Sequence, residues 1–379
     1  MRVCLIASCP ILGGAERVLL ETIDVLRDRG VECRVIVPGE GPLAREIAAL
    51  QIPYCVLDGS FWISWAKPSV WERVKGALRI ATTVVHACRQ IRAWKCDVVY
   101  TNTLSTPYGA IAARLLNLPH IWHLHEFGRE DHGVYYLFGE GFSNRVLGRM
   151  SKVCLVVSNA LARKYGRSIR NSKLRTVYPS MHRAHNGSAG SRTAGEVAGT
   201  KRFRIAIVGS VVEGKGQRDA IEAVSHLVHG GIDAELIIVG EGDPAYEREL
   251  KGLIAQYGLE SRVCFTGRVA NASEYVEVAD AVAVCSRSEG FGRVTVEAMF
   301  AGKPVVGADS GATPELVRDG YNGYLYRCRQ SVDLAAKLKL LYENPKMLRE
   351  LGSNGRNWAS GYFTKERYST EIAGVFDVL

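Results

Sequence analysis

Ala281-Val282-Ala283-Val284-Cys285-Ser286-Arg287-Ser288-Glu289-Gly290-Phe291-Gly292-Arg293-Val294-Thr295-Val296-Glu297-Ala298-Met299 reads as a short buried strand, a loop broken by two glycines and a helix starting near Arg293. A helix that begins at such a turn presents free N–H groups and the positive end of its dipole, so an anion is welcome there. Glu297 falls about one turn inside the helix, roughly 6 Å along its axis. A carboxylate close to a bound diphosphate repels it unless it accepts hydroxyl hydrogen bonds. Glu289 before the helix and Glu297 within it therefore suggest reading of sugar hydroxyls. The plainer alternatives are a solvated loop acid and a favourable first-turn acid.

Working outward, the same strand, loop and helix unit recurs. Arg204–Val208, Glu235–Val239, Val263–Phe265, Ala281–Cys285 and Pro304–Val306 are β-branched runs with helical patterns between them. In the first half Val3–Ala7, Cys33–Val37, Val98–Thr101, His120–His123, Val153–Val157 and Thr176–Tyr178 do likewise. Such alternation predicts parallel sheets with crossover helices. The stretch 182–202, rich in Gly, Ser, Ala and Thr, reads as a linker, giving domains at 1–181 and 203–379. The end of the helical tail, Trp358 to Leu379, is expected to return towards the first domain. The predicted fold is α/β, two facing doubly wound Rossmann-like domains with a cleft between the carboxyl ends of their strands.

At 379 residues, 47% hydrophobic and 23% charged, the composition excludes a disordered, collagen-like or low-complexity chain. No run of about 18 apolar residues and no export signal is found, so a cytoplasmic protein is expected. The ten cysteines include no C-x-x-C pair and are read as reduced, buried thiols without a zinc site. Charge is uneven: residues 1–200 hold 26 Lys+Arg against 15 Asp+Glu, and the remainder 22 against 24. The basic first half suits a polyanionic partner.

Further motifs carry chemistry. Gly13-Gly14 opens the first helix, where glycines let backbone N–H groups approach a phosphate or sugar oxygen; a ligand-free tight turn is the plainer reading. In Gly209-Ser210-Val211-Val212-Glu213-Gly214-Lys215-Gly216, Lys215 could act as a point charge on a diphosphate. The loop lacks the P-loop and dinucleotide fingerprints. His120-Ile121-Trp122-His123-Leu124-His125-Glu126 offers His123 and His125 on one side of an extended strand. No third metal ligand with recognisable spacing accompanies them, and no metal is expected.

Taken together, Glu289-x7-Glu297 in its loop and helix, Gly13-Gly14-Ala15-Glu16, Val239-Gly240-Glu241-Gly242-Asp243-Pro244, Val263-Cys264-Phe265-Thr266-Gly267, Ala301-Gly302-Lys303-Pro304 and Gly311-Ala312-Thr313-Pro314-Glu315 resemble the retaining glycosyltransferase family 4 of the GT-B fold. The likeness extends over nearly the whole chain. It implies a nucleotide-diphosphate sugar donor and no cofactor or metal. It implies that Glu289 holds donor-sugar hydroxyls, Glu297 the ribose and Lys215 the diphosphate. The backbone of Gly290, Phe291, Gly292, Arg293, Val294 and Thr295 would hold both sugar and phosphate, with Gly240 and Arg268 beside the nucleobase. His125 would stand near the reacting sugar, so Glu289, His125 and Lys215 are the expected catalytic set and Gly13, Gly14 and Ser210 further donor contacts. Ser210 is a departure, because many members carry an arginine there; Arg293 or Arg268 are the candidates to compensate.

Within 61–95 stand four of the six tryptophans and seven Lys/Arg against the single acid Glu72. Aromatics among cations on a helical pattern (Val74, Leu78, Ala81, Val85, Ile91) suit a lipid headgroup interface; a core-facing helix with a solvated basic face is the alternative, and nucleic acid is disfavoured for want of a recognised module. The expected function is sugar transfer to a hydroxyl of a glycan or lipid-linked acceptor in cell-surface polysaccharide or glycolipid assembly, by a protein peripheral on the inner face of the membrane. The rivals are an epimerase or phosphorylase of the same fold and a non-catalytic partner subunit.

Overall fold

The computed structural model describes residues 1–181 and 202–379; the predicted linker at 182–202 lies, but for Arg202, outside the described residues. The chain forms two compact units, Met1–Ser180 with Phe363–Leu379, and Met181–Tyr362.

Unit 1 runs β1 (Arg2–Ile6), α1 (Gly14–Asp28), β2 (Glu32–Val37), α2 (Pro42–Ala49), β3 (Tyr54–Val56), β4 (Ile63–Ser64), α3 (Val70–Ala93), β5 (Val98–Asn102), α4 (Tyr108–Leu116), β6 (His120–Leu124), α5 (Arg129–His132), β7 (Tyr135–Tyr136), α6 (Glu140–Met150), β8 (Val153–Val156), α7 (Asn159–Tyr165) and β9 (Leu174–Thr176). Seven strands form a parallel sheet in the order β3-β2-β1-β5-β6-β8-β9, and β4 pairs antiparallel with β7. The inner strands β1, β5, β6 and β8 are buried on both faces and read as near-continuous apolar runs, as inner parallel strands do. Val3, Leu5, Val35, Val98, Tyr100 and Ile121 centre the core.

Unit 2 runs β10 (Phe203–Val208), α8 (Gln217–His229), β11 (Ala234–Val239), α9 (Pro244–Gln256), β12 (Val263–Phe265), α10 (Ser273–Val278), β13 (Ala281–Val284), α11 (Arg293–Phe300), β14 (Val305–Ala308), α12 (Thr313–Leu316), β15 (Gly323–Tyr326), α13 (Ser331–Glu343) and α14 (Pro345–Tyr362). Its six parallel strands are ordered β12-β11-β10-β13-β14-β15. In both sheets the order reverses beside the first strand of the unit, at β1/β5 and at β10/β13. Crossovers there leave by opposite faces, and the loops at the carboxyl ends splay into a crevice.

The last helix, α15 (Lys365–Phe376), belongs to unit 1. It buries Tyr368, Ile372 and Val375, each contributing about 1.5–3 kcal/mol. The Tyr368 hydroxyl lies 2.7 Å from Thr22 Oγ1, which donates to Val18 O, so the tyrosine is the donor of that pair. Lys365 bridges Asp24 and Asp28 at 2.6 and 2.7 Å. Among the described residues no helix is long and apolar enough to cross a membrane.

Two expectations are corrected. The strand expected at Thr176–Tyr178 sits at Leu174–Thr176, ahead of the proline at position 179. All ten cysteines are free, but Cys264 is exposed and only Cys4, Cys33, Cys96, Cys154 and Cys285 are buried; β12, at a sheet edge, turns Cys264 outwards. On α3, of the residues of the apolar pattern, Ile91 is buried, while Val74, Leu78, Ala81 and Val85 are exposed, against the alternative of a helix with that whole face in the core. The helix packs instead through Ile80, Thr83, Val84, Ala87 and Ile91.

Candidate functional site

In unit 2 the carboxyl ends of β10, β11, β13 and β14 carry the loops that hold the sequence-predicted residues. Lys215 ends the loop after β10, and Glu289 lies in the loop after β13; Lys215 Nζ donates to Glu289 Oε2 at 2.9 Å. The two loops are clamped together, with Arg287 N donating to Gly214 O at 2.9 Å and Arg287 Nη1 to Glu213 Oε1 at 2.6 Å.

Glycines make that approach feasible. Gly216 has φ +68°, and a Cβ there would stand 2.2 Å from Cys285 O. Gly311, φ +59°, backs the Glu289 loop, where a Cβ would meet Glu289 N at 2.4 Å. From the same turn Ala312 N donates to Glu289 O at 2.8 Å. Gly240 has φ +136° and a Cβ there would lie 2.1 Å from Gly209 O, so Gly240 is spent on bringing the β10 and β11 loops together. Ser210 is exposed, and its carbonyl accepts from Gln217 Nε2 at 2.8 Å.

Gly290, Phe291 and Gly292 are buried, and Gly292, φ +100°, caps α11. The first N–H groups of this eight-residue helix lack intrahelical acceptors. In its first turn Val294 is half-buried and Thr295 fully buried, and Thr295 Oγ1 has no hydrogen-bond partner among the described residues. The Gln217 Oε1 atom is in the same position. A buried hydroxyl or amide oxygen without a protein partner is one that a ligand or a water can satisfy. The Glu289 side chain folds against Gly292, whose Cβ position is 3.4 Å from Glu289 Cγ. Glu297, one turn on, is partly exposed and 4.0 Å from Arg293 Nε. Arg268 is exposed and pairs with Glu241 at 3.2 Å.

In unit 1 the counterpart edge gathers residues after β1, β5 and β6. Gly13 is the N-cap of α1 and Gly14 its first residue. The Gly13 amide, expected to face a ligand oxygen, is directed at Ile11 O and the Glu16 carboxyl instead. A Cβ at Gly13 would lie 2.9 Å from Glu16 Oε2, so glycine here admits the protein's own acid. Burial pushes the Glu16 carboxyl up to about 7, against hydrogen bonds from backbone N–H groups and Ser8 that favour the charged form.

His123 and His125 separate clearly. His123 is fully buried, bonded through Nδ1 to the Tyr100 hydroxyl, and burial lowers its pKa to about 3; it is a neutral core residue. His125, just past β6, is half-buried, and its Nε2 lies 2.8 Å from Asn102 Oδ1. Asn102 Nδ2 donates to Ala15 O at 3.1 Å, which fixes the amide orientation and makes Oδ1 the acceptor. The His125 proton is thereby assigned to Nε2. Next to it, His125 N donates to Glu126 Oε2 at 2.8 Å. Burial, with the nearby Asp131 charge adding to it, pushes the Glu126 carboxyl up to about 8. Asn102, Glu16, Glu126, Arg287, Gln217 and Gly311 were not singled out from the sequence. Glu16, Glu126, Arg287 and Gly311 fall within the sequence motifs, but burial and loop packing are not visible in a linear string.

Two family models match the chain in succession. One, described as Glycosyltransferase Family 4, covers residues 12–182, and the other, Glycosyl transferases group 1, covers residues 194–358. The chain belongs to glycosyltransferase family 4, and its two parallel-sheet units are those of the GT-B fold. Among solved structures, Anabaena Alr3699/HepE in complex with UDP superposes with a TM-score of 0.81 at 26% identity, over 100% of both chains. The same protein with UDP-glucose gives 0.82 at 26%, again over 100% of both. The putative glycosyltransferase EpsD of Bacillus subtilis is 32% identical over 162 residues, 43% of this chain and 42% of its own. N-acetyl-alpha-D-glucosaminyl L-malate synthase of Bacillus anthracis is 30% identical over 166 residues, 44% of this chain and 43% of its own. These alignments span less than half the length of either relative.

Proposed function

We propose that this protein transfers a sugar from a nucleoside-diphosphate sugar to a hydroxyl of a glycan or lipid-linked acceptor, with retention of the anomeric configuration, in assembly of a cell-surface polysaccharide or glycolipid. The observation that carries the reading is the Lys215–Glu289 pair at 2.9 Å, set in the loop that leads to α11 with the unpartnered Thr295 hydroxyl in its first turn. Binding of UDP and UDP-glucose by HepE supports a nucleotide sugar as donor.

In this reading Glu289 holds Lys215 in place until the donor arrives. The diphosphate then replaces Glu289 as the counter-ion of Lys215, and the α11 N-terminus and Thr295 receive the remaining phosphate oxygens. Released, the Glu289 carboxylate accepts hydroxyls of the donor sugar, and Glu297 those of the ribose. As the glycosidic C–O bond to phosphate breaks, charge grows on the leaving diphosphate where Lys215 and the helix dipole are already aimed, which is preorganised electrostatic stabilisation. The account asks no cofactor or metal of the chain.

The test is turnover of UDP-, GDP-, dTDP- and ADP-sugars, with and without EDTA, followed by NMR of the product's anomeric proton. One nucleotide family should support acceptor-dependent release of nucleoside diphosphate, equally with EDTA, giving a product of the donor's configuration. Lys215→Ala and Glu289→Gln should each lower the rate at least 100-fold. Near-normal turnover in either variant removes that residue from the account, and isomerised donor without transfer points to an epimerase.

A further inference from the structure

Helix α3 is apolar on two sides, and only one of them is used by the fold. At about 100° per residue, Trp71, Val74, Leu78 and Val85 fall within about 60° of each other, while Ile80, Val84, Ala87 and Ile91 occupy the opposite side. The latter are buried in unit 1; on the former stripe Trp71 is 74% exposed and Leu78 64%. The stripe is not a frayed accident of a loose helix. Ser69 and Glu72 form a complete capping box at its start, and 24 residues make a rod of about 36 Å.

The segment before the helix extends the same surface and is held rigidly. Trp62 is buried, stacked on Trp122 with ring centroids 5.8 Å apart and planes at 12°. Its indole N–H donates to Leu104 O at 2.6 Å. With β4 paired to β7, that anchor fixes the loop that displays Trp65, 76% exposed, and Val70, 73% exposed. Trp62 inside and Trp65 outside, three residues apart, show the fold spending one tryptophan to present another.

Charge decides what covers this stripe. Lys75, Arg79, Arg89 and Arg92 are exposed, and by the same helical spacing they flank or continue the apolar stripe. The only acid of the segment, Glu72, is engaged by the capping box. A second copy of the chain would bring these cations against their own equivalents. Tryptophans and aliphatics bordered by Arg and Lys, along a helix lying flat, match an interface where apolar groups enter the acyl boundary and cations meet lipid phosphates.

We propose that α3 and the loop before it, from Phe61 to Arg92, dock on the surface of an anionic lipid bilayer, with Trp65 and Trp71 entering the headgroup layer. This docking is independent of the donor site in unit 2.

The experiment is flotation of the full chain with vesicles of phosphatidylcholine alone or with 30% phosphatidylglycerol, at low and high salt. At low salt at least tenfold tighter binding to the anionic vesicles is expected, weakening several-fold at high salt. Trp65→Ser/Trp71→Ser and, separately, Arg89→Glu/Arg92→Glu should each lose at least tenfold of that binding while melting like wild type. Because all four side chains are exposed, the second pair keeps the test open if the first folds poorly. Equal binding to both vesicles, no binding to either, or a concentration-dependent dimer abolished by Trp71→Ser would overturn the proposal.

Discussion

Replacing Glu126 by glutamine isolates the cost of the partly buried acid beside His125. The Glu126 carboxyl is pushed from 4.5 up to about 8 by burial first and the Asp131 charge second. Between those two values the folded state holds a proton that the unfolded chain releases. Stability is therefore greatest below about pH 4.5 and is lost progressively as pH rises to about 8. At 1.36 kcal/mol per pKa unit, the displacement corresponds to about 5 kcal/mol. Glu126 keeps part of its surface exposed, so about half of that, near 2 kcal/mol, is the working figure. Glutamine has the shape of the protonated acid and can still accept from His125 N. Glu126→Gln should match wild type at pH 5 and exceed it by about 2 kcal/mol at pH 8, a gain of about 4–8 °C in the melting of unit 1. The assay is thermal unfolding of both proteins from pH 5 to pH 8.5. Parallel curves at constant separation would refute the reasoning, because they would show no proton uptake linked to this site.

Other consequences are equally specific. Gly311→Ala places a methyl within 2.4 Å of Glu289 N at a φ of +59°, and should cost about 2–4 kcal/mol and abolish nucleotide binding; Gly231→Ala, at φ +84° with open space around it, should cost only about 1 kcal/mol and leave binding intact, as calorimetry will show. Asn102→Asp should turn the amide acceptor into a charged one and keep the hydrogen bond from His125 Nε2, while wild type shows the Nε2-protonated tautomer in two-dimensional 15N spectra. A wild-type Nδ1 tautomer would contradict the hydrogen-bond assignment. Tyr368→Phe removes the hydroxyl that meets Thr22 Oγ1 at 2.7 Å and should destabilise unit 1 by about 1 kcal/mol in denaturant titration; Tyr368→Ala should cost about 3–5 kcal/mol through the cavity.

The sheets were legible because parallel strands buried on both faces must be largely apolar, as in Ile205–Val208 and Ala281–Cys285. The short strands β3, β4, β7 and β15 were not, since two to four residues such as Tyr135–Tyr136 carry no period and pair only because the fold brings a partner alongside. The Gly290-Phe291-Gly292 turn and the start of α11 at Arg293 followed from glycine chemistry. That Lys215 meets Glu289, which the sequence separates by 74 positions, depends on β10 and β13 being neighbours. The stripe on α3 shows the converse limit: hydrophobic periodicity identifies an amphipathic face but not which side the core takes. Val74 and Val84 are equally apolar, and only packing decides that the first is exposed and the second buried.

The central claim is a nucleoside-diphosphate site built by Lys215, Glu289 and the N-terminus of α11. Titrating the purified chain with UDP, GDP, dTDP and ADP by calorimetry or saturation-transfer NMR, with Lys215→Ala and Glu297→Ala alongside, tests it most directly. The account predicts saturable binding of one nucleotide family, weakened at least tenfold in each variant. Binding of none of the four, or binding unchanged in both variants, would contradict it.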